Sequence, residues 1–248
     1  MCPNCGTPLV EGPQHPFCPS CGQNNSRPRL EAKAVLLDAF QSFVGWDSAL
    51  ANTVGGLFKN PGRLVANYVK GRRRYYVNPA RFCLLTSAFW YLAMQLADLD
   101  TMAASGISIT GSSSDAAADL AGRIRDFIGR NLELMQYLSL PLLAGALRLT
   151  FRKAGRNLAE CLVFVMFLYG FRFLMSLVAV PFAFLHPEAI QWSRYVFGLG
   201  WTIWAAKTFF GVGVWSTLWR TTTAMFLHFF GTILLFALIA VPWVMMTM

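Results

Sequence analysis

Apolar residues gather into five long runs, near residues 80–98, 132–150, 159–185, 195–214 and 223–246. A helix rises about 1.5 Å per residue, so roughly 20 residues cross a hydrocarbon core about 30 Å thick. The pattern predicts an all-α membrane protein with a bundle of about five transmembrane helices. Pro141, Pro181 and Pro242 fall within these runs, where proline removes one helical hydrogen bond and allows a bend. Residues 33–58 behave differently: Val35, Leu36, Ala39, Phe40 and Phe43 recur at helical spacing, but Asp38, Gln41, Asp47 and Asn52 interrupt them. A carboxylate at mid-bilayer costs about 3 kcal/mol. One or two helices lying at the interface or against the spans are therefore expected, with a sixth span as the alternative. Residues 101–118 read as a small-residue linker. After it, Asp115 is placed to cap a short outer-surface helix over 116–131, with Leu120, Ile124, Phe127 and Ile128 on one face.

Composition supports lipid rather than water as the solvent of the last two thirds. The chain is 55% hydrophobic and 13% charged, with a mean hydropathy of +0.45, whereas soluble domains carry about 25% charged residues. Its 21 Lys and Arg exceed its 12 Asp and Glu, and in a membrane protein such an excess reports orientation and attraction to anionic lipid. Lys70, Arg72, Arg73, Arg74 and Arg81 precede the first run, Arg148, Arg152, Lys153 and Arg156 separate the second and third, and Arg220 separates the fourth and fifth. The intervening loops mix Asp100, Asp115, Asp119 and Asp126 with Arg123, Arg125 and Arg130, and Glu188 with Arg194. These loops predict a cytoplasmic N-terminus and an outside C-terminus at an inner, cytoplasmic membrane. The opening residues Met1-Cys2-Pro3-Asn4-Cys5 leave no room for a cleavable leader, so the first span is expected to direct insertion.

Two knuckles near the N-terminus share the pattern C-P-x-C-G: Cys2-Pro3-Asn4-Cys5-Gly6 and Cys18-Pro19-Ser20-Cys21-Gly22. A two-residue gap lets two thiolates face one ion from a tight turn, and the following glycine can take the positive φ that closes it. Cys2, Cys5, Cys18 and Cys21 thus read as a tetrahedral structural Zn²⁺ site, a zinc ribbon over residues 1–26. A redox dithiol is the competing reading, and His15 is a substitute ligand of lower standing. Within residues 1–26 Glu11 and four thiolates face one divalent ion, which leaves three net negative charges. Phosphate would be repelled, so no nucleic acid is expected, and a protein partner at the ribbon is. Cys83 and Cys161 lie in or beside apolar runs and read as small hydrophobes.

Residues 27–78 form the juxtamembrane domain and 79–248 the spanning domain. Arg72, Arg73, Arg74 and Arg81, interleaved with Tyr75 and Tyr76, fit an anionic headgroup site or residues that only fix orientation. Arg172 and Lys207 fall mid-run without an acidic partner at similar depth. They read either as snorkelling or packing residues or as a site for an anionic ligand or headgroup. Tyr169 and Ser176 share a helical face with Arg172, and Trp204 lies one turn from Lys207; His228 on the fifth run reads as a hydrogen-bonded packing residue, with a position facing Arg172 as the alternative. The H-E-x-x-H, G-x-S-x-G and phosphate-loop fingerprints do not occur, which disfavours an enzyme.

Cys2 to Gln23, followed by P-G-R-L-V-A-N-Y-V-K-G-R-R-R-Y-Y-V-N-P-A-R-F-C-L-L from Pro61 to Leu85, resembles a bacterial domain-of-unknown-function family of multi-pass membrane proteins with an N-terminal four-cysteine zinc ribbon. The resemblance covers about residues 1–100 and implies zinc at the four cysteines and a basic turn before the first span. The layout is also similar in topology to Yip-family membrane proteins. The expected function is non-enzymatic: a cytoplasmic ribbon and basic turn that engage a partner protein or anionic lipid. The alternative is a carrier or flippase for an anionic lipid or small molecule.

Overall fold

The computed structural model describes residues 1–8, 17–23, 48–99, 101, 115–183 and 189–246. His15, the interfacial stretch 33–47, most of the small-residue linker and the loop residues His186 and Glu188 lie outside them. Among the described residues every extended element is helical.

Helix α1 (Ser48–Lys59) and helix α2 (Pro61–Val69) meet at Asn60, whose side chain accepts the Arg63 amide while Pro61 takes the first helical position. That pairing suits both residues, because the proline has no amide to orphan and the asparagine satisfies one that follows. Asn78 and Pro79 repeat the device for α3 (Pro79–Leu96), with Asn78 accepting from Ala80 and Arg81. Helix α4 (Asp115–Thr150) leads through a short 3₁₀ turn to α5 (Leu158–Ala183). Asn157 and Glu160 start α5 as a reciprocal cap: Glu160 donates its amide to the Asn157 side chain, and Asn157 its amide to the Glu160 carboxylate. Helix α6 (Ala189–Tyr195) passes through a π turn (Val196–Gly200) into α7 (Trp201–Phe210), and α8 (Val214–Met246) completes the chain.

The centre of the bundle is α5, with Phe164, Phe167 and Phe171 fully buried. Phe82 beside Phe167 (6.2 Å) and Trp90 beside Phe173 (5.5 Å) show that α3 and α5 run in the same direction. Phe164 on Phe209 (4.8 Å) and Phe171 on Trp201 (5.0 Å) make α7 antiparallel to α5. Phe127 on Trp243 (4.6 Å) and the Arg220 guanidinium over Phe151 (5.8 Å) make α4 and α8 antiparallel. Gly62 permits the close approach of α2 to α7: a Cβ there would collide with the Ala205 carbonyl and come within 2.8 Å of Thr208.

Five crossings are expected from hydropathy, but two described helices are long and apolar enough to cross a membrane: Leu158–Ala183 and Val214–Ala240. The remaining three runs fail for identifiable reasons. Helix α3 has 18 residues and carries Arg81, Thr86, Ser87 and Gln95. The second run is not a separate span, because it continues the expected outer helix as one 36-residue helix whose latter half holds Glu133, Gln136 and Arg148. The fourth is divided by the π turn around Gly198 and Gly200 and ends at Gly211, in the left-handed region with φ 66°. Arg220, expected in a loop, lies within α8.

Candidate metal centre and the basic end

The two knuckles fold alike. In each, the first cysteine donates its amide to the carbonyl five residues on (Cys2 to Thr7 and Cys18 to Gln23, both 2.8 Å) and accepts from the glycine four residues on. Gly6 and Gly22 take φ of 77° and 64°, the left-handed conformation that closes such a turn without a Cβ penalty. The four Sγ atoms lie within 4.8 Å of one another, with Cys2 to Cys21 at 3.7 Å and Cys5 to Cys18 at 3.6 Å. A tetrahedral tetrathiolate with metal–sulfur bonds of about 2.3 Å needs sulfurs about 3.8 Å apart, whereas a disulfide needs about 2.05 Å. All six cysteines are free thiols. The first four could hold a metal ion, and the donor set fits one. The Thr7 hydroxyl and amide pull the Cys5 thiol down to about 6, so thiolate, the ligating form, is favoured there.

The knuckles are docked on the arginine turn between α2 and α3. The Gln23 side-chain amide donates to the Gly71 carbonyl. Gly71 has φ 111°, and a Cβ there would lie 3.1 Å from Pro3, so the first knuckle rests on its bare Cα. The Arg74 guanidinium lies against Gly22 of the second knuckle, where a Cβ would meet it directly. Arg74, Asn4, Cys21, Asn52 and Tyr75 border an open cleft of about 420 Å³ between turn and ribbon. The turn is itself tied down, because Val77 donates its amide to the buried Thr53 hydroxyl on α1 (2.9 Å). Arg72 projects over Tyr75 at 5.5 Å, and Arg81 is half-buried in the first turn of α3.

Helix directions collect the basic groups. The start of α3, the end of α4, the starts of α5 and α8 and the end of α7 share one end of the bundle. Arg72 to Arg74, Arg81, Arg148, Arg152, Lys153, Arg156, Lys207 and Arg220 all belong to that end. Arg156 fastens it, donating to the Phe209 carbonyl (3.1 Å), lying over the Phe209 ring (4.6 Å) and facing Glu160 (3.8 Å).

Arg172 and Lys207 are not brought together. Lys207 is exposed in the last turn of α7, where a cation meets the negative end of the helix dipole. Trp204 packs edge-on against Trp201 (4.7 Å). Arg172 is half-buried under Tyr169, its guanidinium 4.1 Å from the ring centroid. Electrostatic interaction links it to His228 on α8 and to Cys83 on α3, and Ser87 bonds Tyr137 across the α3–α4 interface. Arg172 Nε, Ser176 Oγ, His228 Nε2 and Thr232 Oγ1 lack hydrogen-bond partners among the described residues. Helical spacing indicates Tyr169 and Ser176 beside Arg172; it does not indicate His228, or Ser87 and Tyr137, which meet only when α3 and α4 pack. Nor does any local signal disclose Gln23, Pro3 and Gly71, whose contacts span 48 residues or more.

A family model described as "Protein of unknown function (DUF3667)" matches residues 47–91. The matched segment holds α1, α2, the arginine turn and most of α3, which supports an uncharacterised domain family over part of residues 1–100; the match does not reach the four cysteines and carries nothing of the expected multi-pass or Yip-like layout. No curated protein and no solved structure matches the chain.

Proposed function

We propose that the chain is a non-enzymatic integral membrane protein whose zinc ribbon and arginine turn form one cytoplasmic platform for a partner protein or anionic lipid. Membrane embedding is supported by α8: within an 18-residue apolar window of Val214–Ala240 only 11% of the residues are buried, against 67% in the corresponding window of α5. A core helix of a soluble domain would be covered, and water-soluble monomers rarely expose apolar patches beyond a few hundred Å². Trp215, Trp219 and Trp243 stand exposed near its two ends, where interfacial tryptophans collect.

The observation that carries the reading is the docking of the ribbon on Gly71 and Arg74 at the end where the basic residues converge. The positive-inside rule places that end in the cytoplasm, a reducing compartment in which four thiols bind Zn²⁺ rather than form disulfides. A ribbon this short draws its folding free energy from the metal, so zinc orders both the knuckles and the turn beneath them. Neutral and anionic nanodiscs, each with metal-loaded or chelator-stripped protein, test this. One zinc per chain by intact-mass measurement is expected, with amide exchange over 70–76 slowed by the metal. Further slowing in anionic discs identifies lipid as the partner, and its absence a protein. A zinc-free chain, or exchange indifferent to the metal, overturns the reading.

A second reading, a carrier or flippase for an anionic lipid or small molecule, is favoured by the unpartnered polar atoms around Arg172. It proceeds without Lys207.

A further inference from the structure

A groove of about 360 Å³ runs between the second half of α4 and the start of α5. Pro141, Ala144, Leu158 and Leu162 form its walls, and Ala159 keeps it open by ending at Cβ. Its surface is apolar almost throughout. Pro141 and Leu162 lie towards the bundle middle, while Arg148 and Asn157 stand at the basic end. Immediately beyond is the 3₁₀ turn with Arg152 and Lys153, both exposed. Arg156 is engaged with Glu160 and Phe209. Arg148, Arg152 and Lys153 form no ion pair among the described residues; Arg148 borders the slot, and Arg152 and Lys153 stand exposed on the turn that joins its two helices.

We propose that this groove binds one acyl chain of an anionic phospholipid, with the phosphate held by Arg148, Arg152 and Lys153. The inference rests on the membrane reading above and names a lipid site separate from the arginine turn. The slot lies parallel to the helices that would cross the bilayer, its apolar walls at hydrocarbon depth and its Arg148 end at headgroup level. Its volume, at the low end of ligand pockets at about 300–1,000 Å³, accommodates one chain rather than a whole lipid. A zwitterionic lipid fills the same slot but leaves the three charges uncompensated, so selectivity resides in the headgroup.

Detergent-purified protein titrated with phosphatidylglycerol or phosphatidylcholine of matched chains, read by native mass spectrometry, tests the site. Phosphatidylglycerol is expected to bind more tightly. In Arg148→Gln, Arg152→Gln, Lys153→Gln that preference collapses, each lost charge weakening anionic-lipid binding about fivefold, with phosphatidylcholine binding unchanged. Equal binding of the two lipids by the unaltered protein, or an unaltered preference in the triple variant, overturns the proposal. Alkaline extraction of membranes is scored in parallel. A chain that stays in the bilayer but ignores headgroup charge refutes the groove alone, whereas a chain released into the supernatant refutes the membrane reading.

Discussion

Arg172 separates two accounts of the bundle interior. Its guanidinium over Tyr169 at 4.1 Å is a cation–π contact of about 1–2 kcal/mol when desolvated. Its Nε and the neighbouring Ser176 hydroxyl nonetheless have no hydrogen-bond partner among the described residues, and an unpaired buried donor costs about 1–3 kcal/mol. Arg172→Leu removes the ring contact together with the unpaired Nε and leaves Ser176 as it is, so the thermal midpoint in detergent should shift by only a few degrees, since about 1 kcal/mol corresponds to about 2–4 °C in a domain of this size. Proteoliposomes with a fluorescent anionic lipid distinguish the accounts. The carrier reading requires that the unaltered protein scramble the lipid and that Arg172→Leu abolish scrambling. Scrambling absent from the unaltered protein, or undiminished in the variant, removes that reading. Residues at this scale were legible in sequence where their chemistry is local. C-P-x-C-G fixes ligand type, turn and glycine conformation within five positions. The seat of the knuckles on Gly71 and Arg74 joins parts of the chain some 50 residues apart, and neither side advertises the other.

Among the elements, α8 bears most directly on the membrane reading, because Ile233 and Leu234 at its middle are exposed. Ile233→Arg with Leu234→Arg should each add about 2.5–3.5 kcal/mol to insertion, so a glycosylation-based insertion assay is expected to show a clear drop in the inserted fraction. Unchanged insertion would mean that this helix lies in water or against a partner. The starts of α2 and α3 could be read in advance because Asn60-Pro61 and Asn78-Pro79 pair a side-chain cap with a residue that has no amide to satisfy. The fusion of two expected elements into α4 could not. Charges at Arg123, Arg125, Asp126 and Arg130 mark a solvated surface, yet Phe127 finds Trp243, over 100 residues away, and the helix continues. Hydropathy likewise overstated the fourth run, since averaging over 195–214 conceals the glycines at 198, 200 and 211 that reshape its backbone.

In the whole molecule, charge and topology agree without having been derived from each other. The ring contacts alone set α3 parallel to α5 and α4 antiparallel to α8, and those directions bring basic groups more than 140 residues apart to one end. With that end in the cytoplasm, α8 delivers Met246 to the opposite side. A reporter fused after Met248 should therefore be active when it requires export and silent when it requires the cytosol; the reverse pattern would invert the assignment.

The gathering of cations at one pole has an electrical consequence. In a cell whose interior is negative, carrying each positive charge outward costs about 2.3 kcal/mol per 100 mV. If the pole that gathers most of the arginines and lysines faces that interior, the resting voltage helps to hold it there, and dissipating the voltage during synthesis would loosen the choice of which way the bundle points.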